Sequence, residues 1–490
     1  MKKLLVAAIM VVLATPAFAA IQNVKVSGDI TTSYLTDSNL DLGYNGLASA
    51  GPVGMTKQNV FLTQTRLRVD ADLSDNVSTT VGLINERAWN AENASIDSGT
   101  TNYNNDTNVQ LYLASLTLRE FLYSPLTLTI GRQVFNYGNG LILGDGGAIN
   151  SAGGNLADIY SDLTEATAYD GVTATLDYKP LTISLIYFKN GQNLTSIDGS
   201  YVSNNHQSSD VFGYNLNYQL SDPWSTVVEQ YTFARVNGGG YDASLTPALP
   251  SSKADTLYVP GLRASTNPIK NLNLQGEVAW ELGNIEVANP VGTAAQQEGE
   301  HRSAMAAQFL ATYSLPVLEK YKPTVNAGYT YVSGDKNGNS NYQTQSNSSA
   351  KTYTAWDEFN TIQGAGTIYR AIFPLSNESI VSAGASVSPL EDVTAGVTWS
   401  GLWAIDPYTN GATSENPLTL IQPNGSTAVS PQVNHNGYWL GNETDINLTY
   451  NYTEDVTFGL SMGWFVPGDV FTANNHDTAS QAIANVGVKF

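Results

Sequence analysis

Apolar and polar residues alternate over long stretches of this 490-residue chain. In 212–220, Phe212, Tyr214, Leu216, Tyr218 and Leu220 share one face, and Gly213, Asn215, Asn217 and Gln219 share the other. In 271–283, Leu272, Leu274, Val278, Trp280 and Leu282 oppose Asn273, Gln275, Glu277 and Glu281. In 456–466, Val456, Phe458, Leu460, Met462 and Trp464 oppose Thr457, Gly459, Ser461 and Gly463. A period of two belongs to extended chain, so these are strands with one apolar face and one small or polar face. A soluble sandwich turns the polar face outward to water. A membrane barrel turns the apolar face to lipid and wets its lumen. The alternation fits both.

Length and punctuation separate them. The strands run about ten to thirteen residues, which suits a tilted membrane crossing better than the ~5–6 residues common in globular sheets. They pair through short turns: SDN (74–76), KP (179–180), SDP (221–223), NPIK (267–270), LED (389–391) and TED (453–455). Long Gly/Asn/Ser/Asp-rich segments lie between the pairs, at 37–58, 136–166, 334–377 and 406–440. Short turns on one side and long loops on the other are the layout of an outer-membrane barrel.

The spacing predicts strands at 24–35, 59–73, 77–88, 108–119, 125–135, 167–178, 181–190, 209–220, 224–236, 254–266, 271–283, 301–314, 323–333, 378–388, 392–405, 441–453, 455–466 and 478–490. The expected fold is therefore all-β: a transmembrane antiparallel barrel of about 18 strands with long extracellular loops and short periplasmic turns. An even count puts both termini on the periplasmic side. The last strand ends in NVGVKF (485–490), with Ala484, Val486 and Val488 toward lipid and an aromatic, Phe490, as its final residue.

The N-terminus and the composition agree with export. Lys2 and Lys3 precede the apolar run LLVAAIMVVLA, and Ala17-Phe18-Ala19 offers small residues around a bulky one. This reads as a secretory signal over 1–19, cleaved after Ala19, followed by a single barrel domain over 20–490. No later run approaches the ~20 apolar residues of a spanning helix. Only 13% of residues are charged, Tyr reaches 27, Gly 43, and there is no Cys. The missing Cys excludes disulfides, thiol catalysis, haem attachment and Fe–S ligation. Net charge is −21, or −23 once Lys2 and Lys3 leave with the signal, which excludes a nucleic-acid partner, since that needs surplus Lys and Arg.

Five stretches carry a family resemblance. TQTRLRVDADL (63–73), LTIGRQVFNYGNGLI (128–142), AYDGVTATL (168–176), YTYVSGD (329–335) and GNETDINLTYNYTEDVTFGLSMGWFVPGD (441–469) resemble, in order, segments of the alginate-export family of outer-membrane barrels. The resemblance implies an 18-stranded channel for saccharides or other hydrophilic solutes. The alginate exporter's tunnel resembles an arginine-lined path for a polyanion, whereas this chain has nine Arg and places acidic residues on the same face. Independently, a barrel of 16–18 strands is too wide for its own side chains to fill. The first strand starts soon after the cleavage site, with no room for an N-terminal plug.

Parity nominates the pore lining: Arg66, Arg68, Asp70, Glu277, Glu281, Arg302, Glu443 and Asp445 fall on inward positions. Arg132 is included, although it shares parity with Leu128 and Ile130, on two alternative grounds: Gly131 marks a bulge that re-aims it, or Arg132 lies near the rim. The segment 134–162 is expected to fold inward as a constriction loop that includes Leu141, Ile142, Leu143 and Asp145, with the three apolar residues packing on the wall. His206, His301, His435 and His476 lack metal-ligand spacing, DSNLDLG (37–43) and DKNGNSN (335–341) lack the full calcium-loop pattern, and no nucleophile motif is present. No metal, cofactor or enzymatic activity is expected. The partners are outer-membrane lipid, lipopolysaccharide and small hydrophilic solutes. Two other classes stay open at this point: a structural sheath around a periplasmic or electron-transfer partner, and an outer-membrane enzyme.

Overall fold

A computed structural model describes residues 23–43, 57–89, 109–144, 163, 165, 167–192, 208–238, 241–242, 249–250, 254–285, 301–335, 352–359, 366–408 and 433–490. The expected signal over 1–19 and Asp145 lie outside them. The wall is eighteen strands: β1 (Asn23–Ser38), β2 (Lys57–Ser74), β3 (Val77–Ala88), β4 (Gln110–Leu118), β5 (Leu126–Gln133), β6 (Tyr169–Asp177), β7 (Leu181–Gln192), β8 (Ser208–Gln219) and β9 (Val227–Asn237) in its first half. The second half is β10 (Asp255–Ile269), β11 (Leu272–Asn284), β12 (His301–Ser314), β13 (Thr324–Val332), β14 (Glu378–Leu390), β15 (Val393–Ala404), β16 (Trp439–Asn451), β17 (Val456–Pro467) and β18 (Ala479–Lys489). Each strand pairs antiparallel with its chain neighbours, and β18 pairs with β1 from Lys489↔Asp29 to Ser480↔Ser38. Closure leaves the described strands without a free edge, so apart from local bulges the backbone polar groups of the wall pair within the sheet, as lipid requires.

The alternation sorts the two faces. Val24, Val26, Ile30, Leu67, Trp280, Leu282, Phe309, Val397, Ile446 and Phe458 are exposed, although apolar, because they form the outer surface of the barrel. In a soluble protein such a belt would be a sticky patch; in a bilayer it is the contact with lipid. The terminal Phe490 exchanges backbone hydrogen bonds with Gly28, at 2.8 and 2.9 Å, which zips the closing seam.

Inside, the barrel divides. On the extracellular half of β6–β17 the inner face is also apolar: Phe188, Val211, Phe233, Leu257, Val259, Ala304, Leu402 and Phe465 are buried. They are covered by two inward-folded segments. One follows β5 and inserts Phe135, Leu141, Ile142 and Leu143, with the Phe135 ring tilted against that of Phe188 at 4.5 Å between centroids. The other, between β13 and β14, inserts Trp356, Phe359, Ile368, Tyr369, Phe373 and Leu375, including the four-residue helix α1 (Tyr369–Ile372). Together they make one hydrophobic core inside a membrane barrel. A polar lumen face was the expectation for every strand; this half departs from it because the loops need an apolar wall to pack on.

Candidate functional site: the inner wall and its two loops

The segment after β5 is held by polar as well as apolar contacts. Asn139 donates to Gln275 at 2.7 Å, and Arg263 donates to Asn139 and Gln275 at 2.9 and 2.8 Å. Arg263 also pairs with Glu229 and lies 4.0 Å from Glu277, whose other oxygen accepts the Tyr231 hydroxyl at 2.6 Å. Loop burial raises the Tyr137 hydroxyl to about 12. Leu141, Ile142 and Leu143 are fully buried against the wall.

The second segment is fastened at both ends. At its start, Asp357 meets Arg302 at 2.7 Å and Arg235 at 3.0 Å, while its N–H donates to both oxygens of Glu281, at 3.2 and 3.0 Å. Arg302 also holds Asp255 at 2.9 Å, and Arg235 donates to the carbonyls of Glu358 and Phe359. Near its end, Thr367, Ile368 and Tyr369 donate three successive N–H groups to the Glu443 carboxylate at 2.6, 2.7 and 2.6 Å, and the Thr367 hydroxyl reaches Asp445 at 3.1 Å. Gly366 precedes this turn at φ +61, and a Cβ there would lie 2.1 Å from Glu443 Oε1, so only glycine lets the carboxylate close in. Behind the turn, Tyr369 donates to Glu378 and the Leu375 N–H donates to Glu358. Burial raises the Glu358 carboxyl above its ordinary range.

Arg66, Arg68 and Asp70 lie on the opposite part of the inner wall. Arg66 Nε sits 2.9 Å from Asp29 and 2.8 Å from Glu165. Arg68 donates twice to Asp70, at 2.8 and 2.9 Å, and the Thr80 hydroxyl donates to Asp70 at 2.6 Å. Burial raises the Glu165 carboxyl, against the lowering effect of Arg66.

Two parts of the sequence reading need correction. Arg132 is in register with Asp170, on the parity of the exposed Ile130 and Val134, and pairs with Asp170 at 3.4 Å on the outer face. The glycine before it does not shift the register, so Arg132 is not pore lining; an acid on the next strand compensates it instead. Glu277, Glu281, Arg302, Glu443 and Asp445 do face inward, but they are buried beneath the loops. Glu281, Arg302, Glu443 and Asp445 fasten the second loop directly, and Glu277 holds Tyr231 and Arg263 on the wall beneath the first. The sequence marks 334–377 as a long loop but not that it folds inward, nor the parts played by Arg235, Arg263, Asp357 and Tyr369. Its aromatic run, Trp356, Phe359, Tyr369 and Phe373, was the available signal, because a purely external loop has no use for it.

The architecture is that of an outer-membrane porin. Solved structures with this fold include the Pseudomonas aeruginosa protein OccK2 (OpdF) in complex with glucuronate, at TM-score 0.52 and 12% identity over 96% of this chain and 99% of that one. The outer membrane protein OprD of the same organism aligns at TM-score 0.51 and 11% identity over 96% and 94%. Acinetobacter baumannii OccAB1 aligns at 0.52 and 10% over 97% and 98%. Identities this low establish a shared fold. No curated protein matches the sequence. The profile of the alginate export family matches residues 203–485, and the chain belongs to that family, in the bacterial outer membrane.

Proposed function

We propose that the barrel is a passive, non-enzymatic channel for small hydrophilic solutes, narrowed from within by its two folded-in loops. One observation carries the reading. The charged side chains of Arg66, Arg68 and Asp70 on the inner wall at β2 remain within reach of solvent, while Arg302, Glu281 and Glu443 beneath the loops do not. The side chain of Arg68 is 47% exposed and that of Arg66 30%, against 3% for Arg302. A barrel of eighteen strands is wide enough to keep such a path beside its loops. The family, and a fold shared with solute-binding porins, support the same reading.

The mature protein is proposed to begin at residue 20, after removal of the signal. Purified barrel reconstituted in planar bilayers should give stepwise ionic conductance, and proteoliposomes should swell in isosmotic small sugars. A folded, heat-modifiable barrel that passes neither ions nor sugars contradicts this function.

A further inference from the structure

The solvent-reached wall carries one residue that a period of two does not place there. Between β3 and β4 the register slips: Gly82 pairs with Leu113 and Leu83 with Leu111, so Tyr112 has no partner and forms a bulge. Leu111 remains on the outer face and is exposed, while Leu113 is buried. The extra residue turns its ring inward. Gly82 makes the room, because a Cβ there would lie 2.6 Å from the Tyr112 ring. The Tyr112 hydroxyl stands within electrostatic reach of Arg66, Arg68, Asp29 and Glu165.

Depth sharpens the contrast between this wall and its opposite. Arg68 and Arg263 each lie six residues before the last residue of their strands, Ser74 and Ile269. At that matching depth Arg68 is 47% exposed and Arg263 is 10% exposed. Solvent therefore reaches this depth on the β2 side and not on the opposite one. Each cation there is paired: Arg66 faces Asp29 and Glu165, and Arg68 is doubly bonded to Asp70, so three carboxylates meet two guanidinium groups. A polyanion needs surplus cations, and this wall has given its guanidinium groups to carboxylates. What it still offers is a half-buried aromatic face next to a fixed array of donors and acceptors. Asp70 takes two of the donors of Arg68 and leaves the rest of the fork free for a hydroxyl.

We propose that Tyr112, with the Arg68–Asp70 pair, forms a subsite for an uncharged sugar ring on this wall of the lumen. The ring's apolar C–H face stacks on Tyr112, and its vicinal hydroxyls bridge the ion pair. The proposal rests on the channel reading for its role in transport, but binding can be measured without any conductance.

The test uses the full mature barrel in detergent, with maltotriose as the neutral probe and glucuronate as the anionic one. Binding is followed by saturation-transfer NMR, and block of the KCl current by maltotriose is recorded in bilayers. Wild type should bind maltotriose saturably, Tyr112→Phe should retain binding, and Tyr112→Ala should weaken it at least about tenfold while single-channel conductance is kept or raised. Absence of maltotriose binding to wild type, or equal binding by wild type and Tyr112→Ala, overturns the subsite. Glucuronate binding tighter than maltotriose by about tenfold or more also overturns it, because the wall would then hold free positive charge. Maltotriose binding that depends on Tyr112 in a barrel that never conducts upholds the subsite and rejects the channel.

Discussion

The Glu443 carboxylate, on the wall strand β16, accepts the backbone N–H of Tyr369 at 2.6 Å, along with those of Thr367 and Ile368. One buried side chain thus replaces the intra-segment partners that these three peptide groups lack at the start of a four-residue helix. The helix is too short to hold itself in the lumen. Its position is set by Glu443 on one side and by the Asp357 cluster on the other.

Removing the acceptor should free this end of the segment. Glu443→Ala leaves three buried donors without partners, at a cost of ~1–3 kcal/mol each if they stay dry. The segment should therefore leave the wall rather than remain, and single-channel conductance should rise several-fold with the barrel still folded. Glu443→Gln keeps an acceptor oxygen and should give a smaller rise in the same recordings.

The other end depends on Asp357, which neutralises Arg235 and Arg302. Asp357→Ala leaves the largely buried Arg235 without its carboxylate and Arg302 with Asp255 alone, a loss on the order of 3–5 kcal/mol for a broken buried pair. External protease should then cut between 352 and 377 faster than in wild type. Asp357→Ala combined with Glu443→Ala should exceed the sum of the single effects on conductance, because either anchor alone partly retains the segment.

Acidity should tighten the loops. Burial raises Glu358 and Glu165 above the ordinary glutamate range, so the docked state binds more protons than the undocked one. For a raised carboxyl, stability is fully present below its ordinary value of ~4.3 and is lost as pH rises through the raised value. Lowering pH from about 7 to about 5 should thus favour docking and reduce open-channel current. Glu358→Gln should flatten that dependence. A current that grows on acidification would reverse the sign.

Charge selectivity should follow exposure. Arg66→Ala with Arg68→Ala should move the reversal potential in a KCl gradient toward cations, since these groups meet the aqueous path with little screening. Glu277→Gln should move it far less, because Glu277 lies beneath Tyr231 and Arg263. Equal and opposite shifts from the two sets would mean that the path is central rather than lateral.

The strands were legible because a period of two survives in any sequence that divides lipid from water, as in Phe212–Leu220 and Leu272–Leu282. All eighteen appear within a few residues of their expected positions. The closed seam followed from the even count, and Leu141–Leu143 announced an inward loop because three apolar residues have no place in an external one. The fastening of the second loop was illegible. Glu443 finds Tyr369 across 74 residues of chain, and nothing local marks the pair. Parity also fails where an extra residue enters: Tyr112 needs the slipped register to be seen. Inward direction, finally, is not exposure. Glu281 and Arg68 share the inner face, yet one is buried and the other meets water.

A lumen narrowed, not sealed, by a segment latched to Glu443 should conduct, and should conduct more once the latch is removed. Single-channel recording of wild type and Glu443→Ala side by side in KCl tests it most directly. Wild type should give small discrete openings, and Glu443→Ala larger ones with the same reversal potential. Identical conductance from two folded barrels, or none from either, would contradict it.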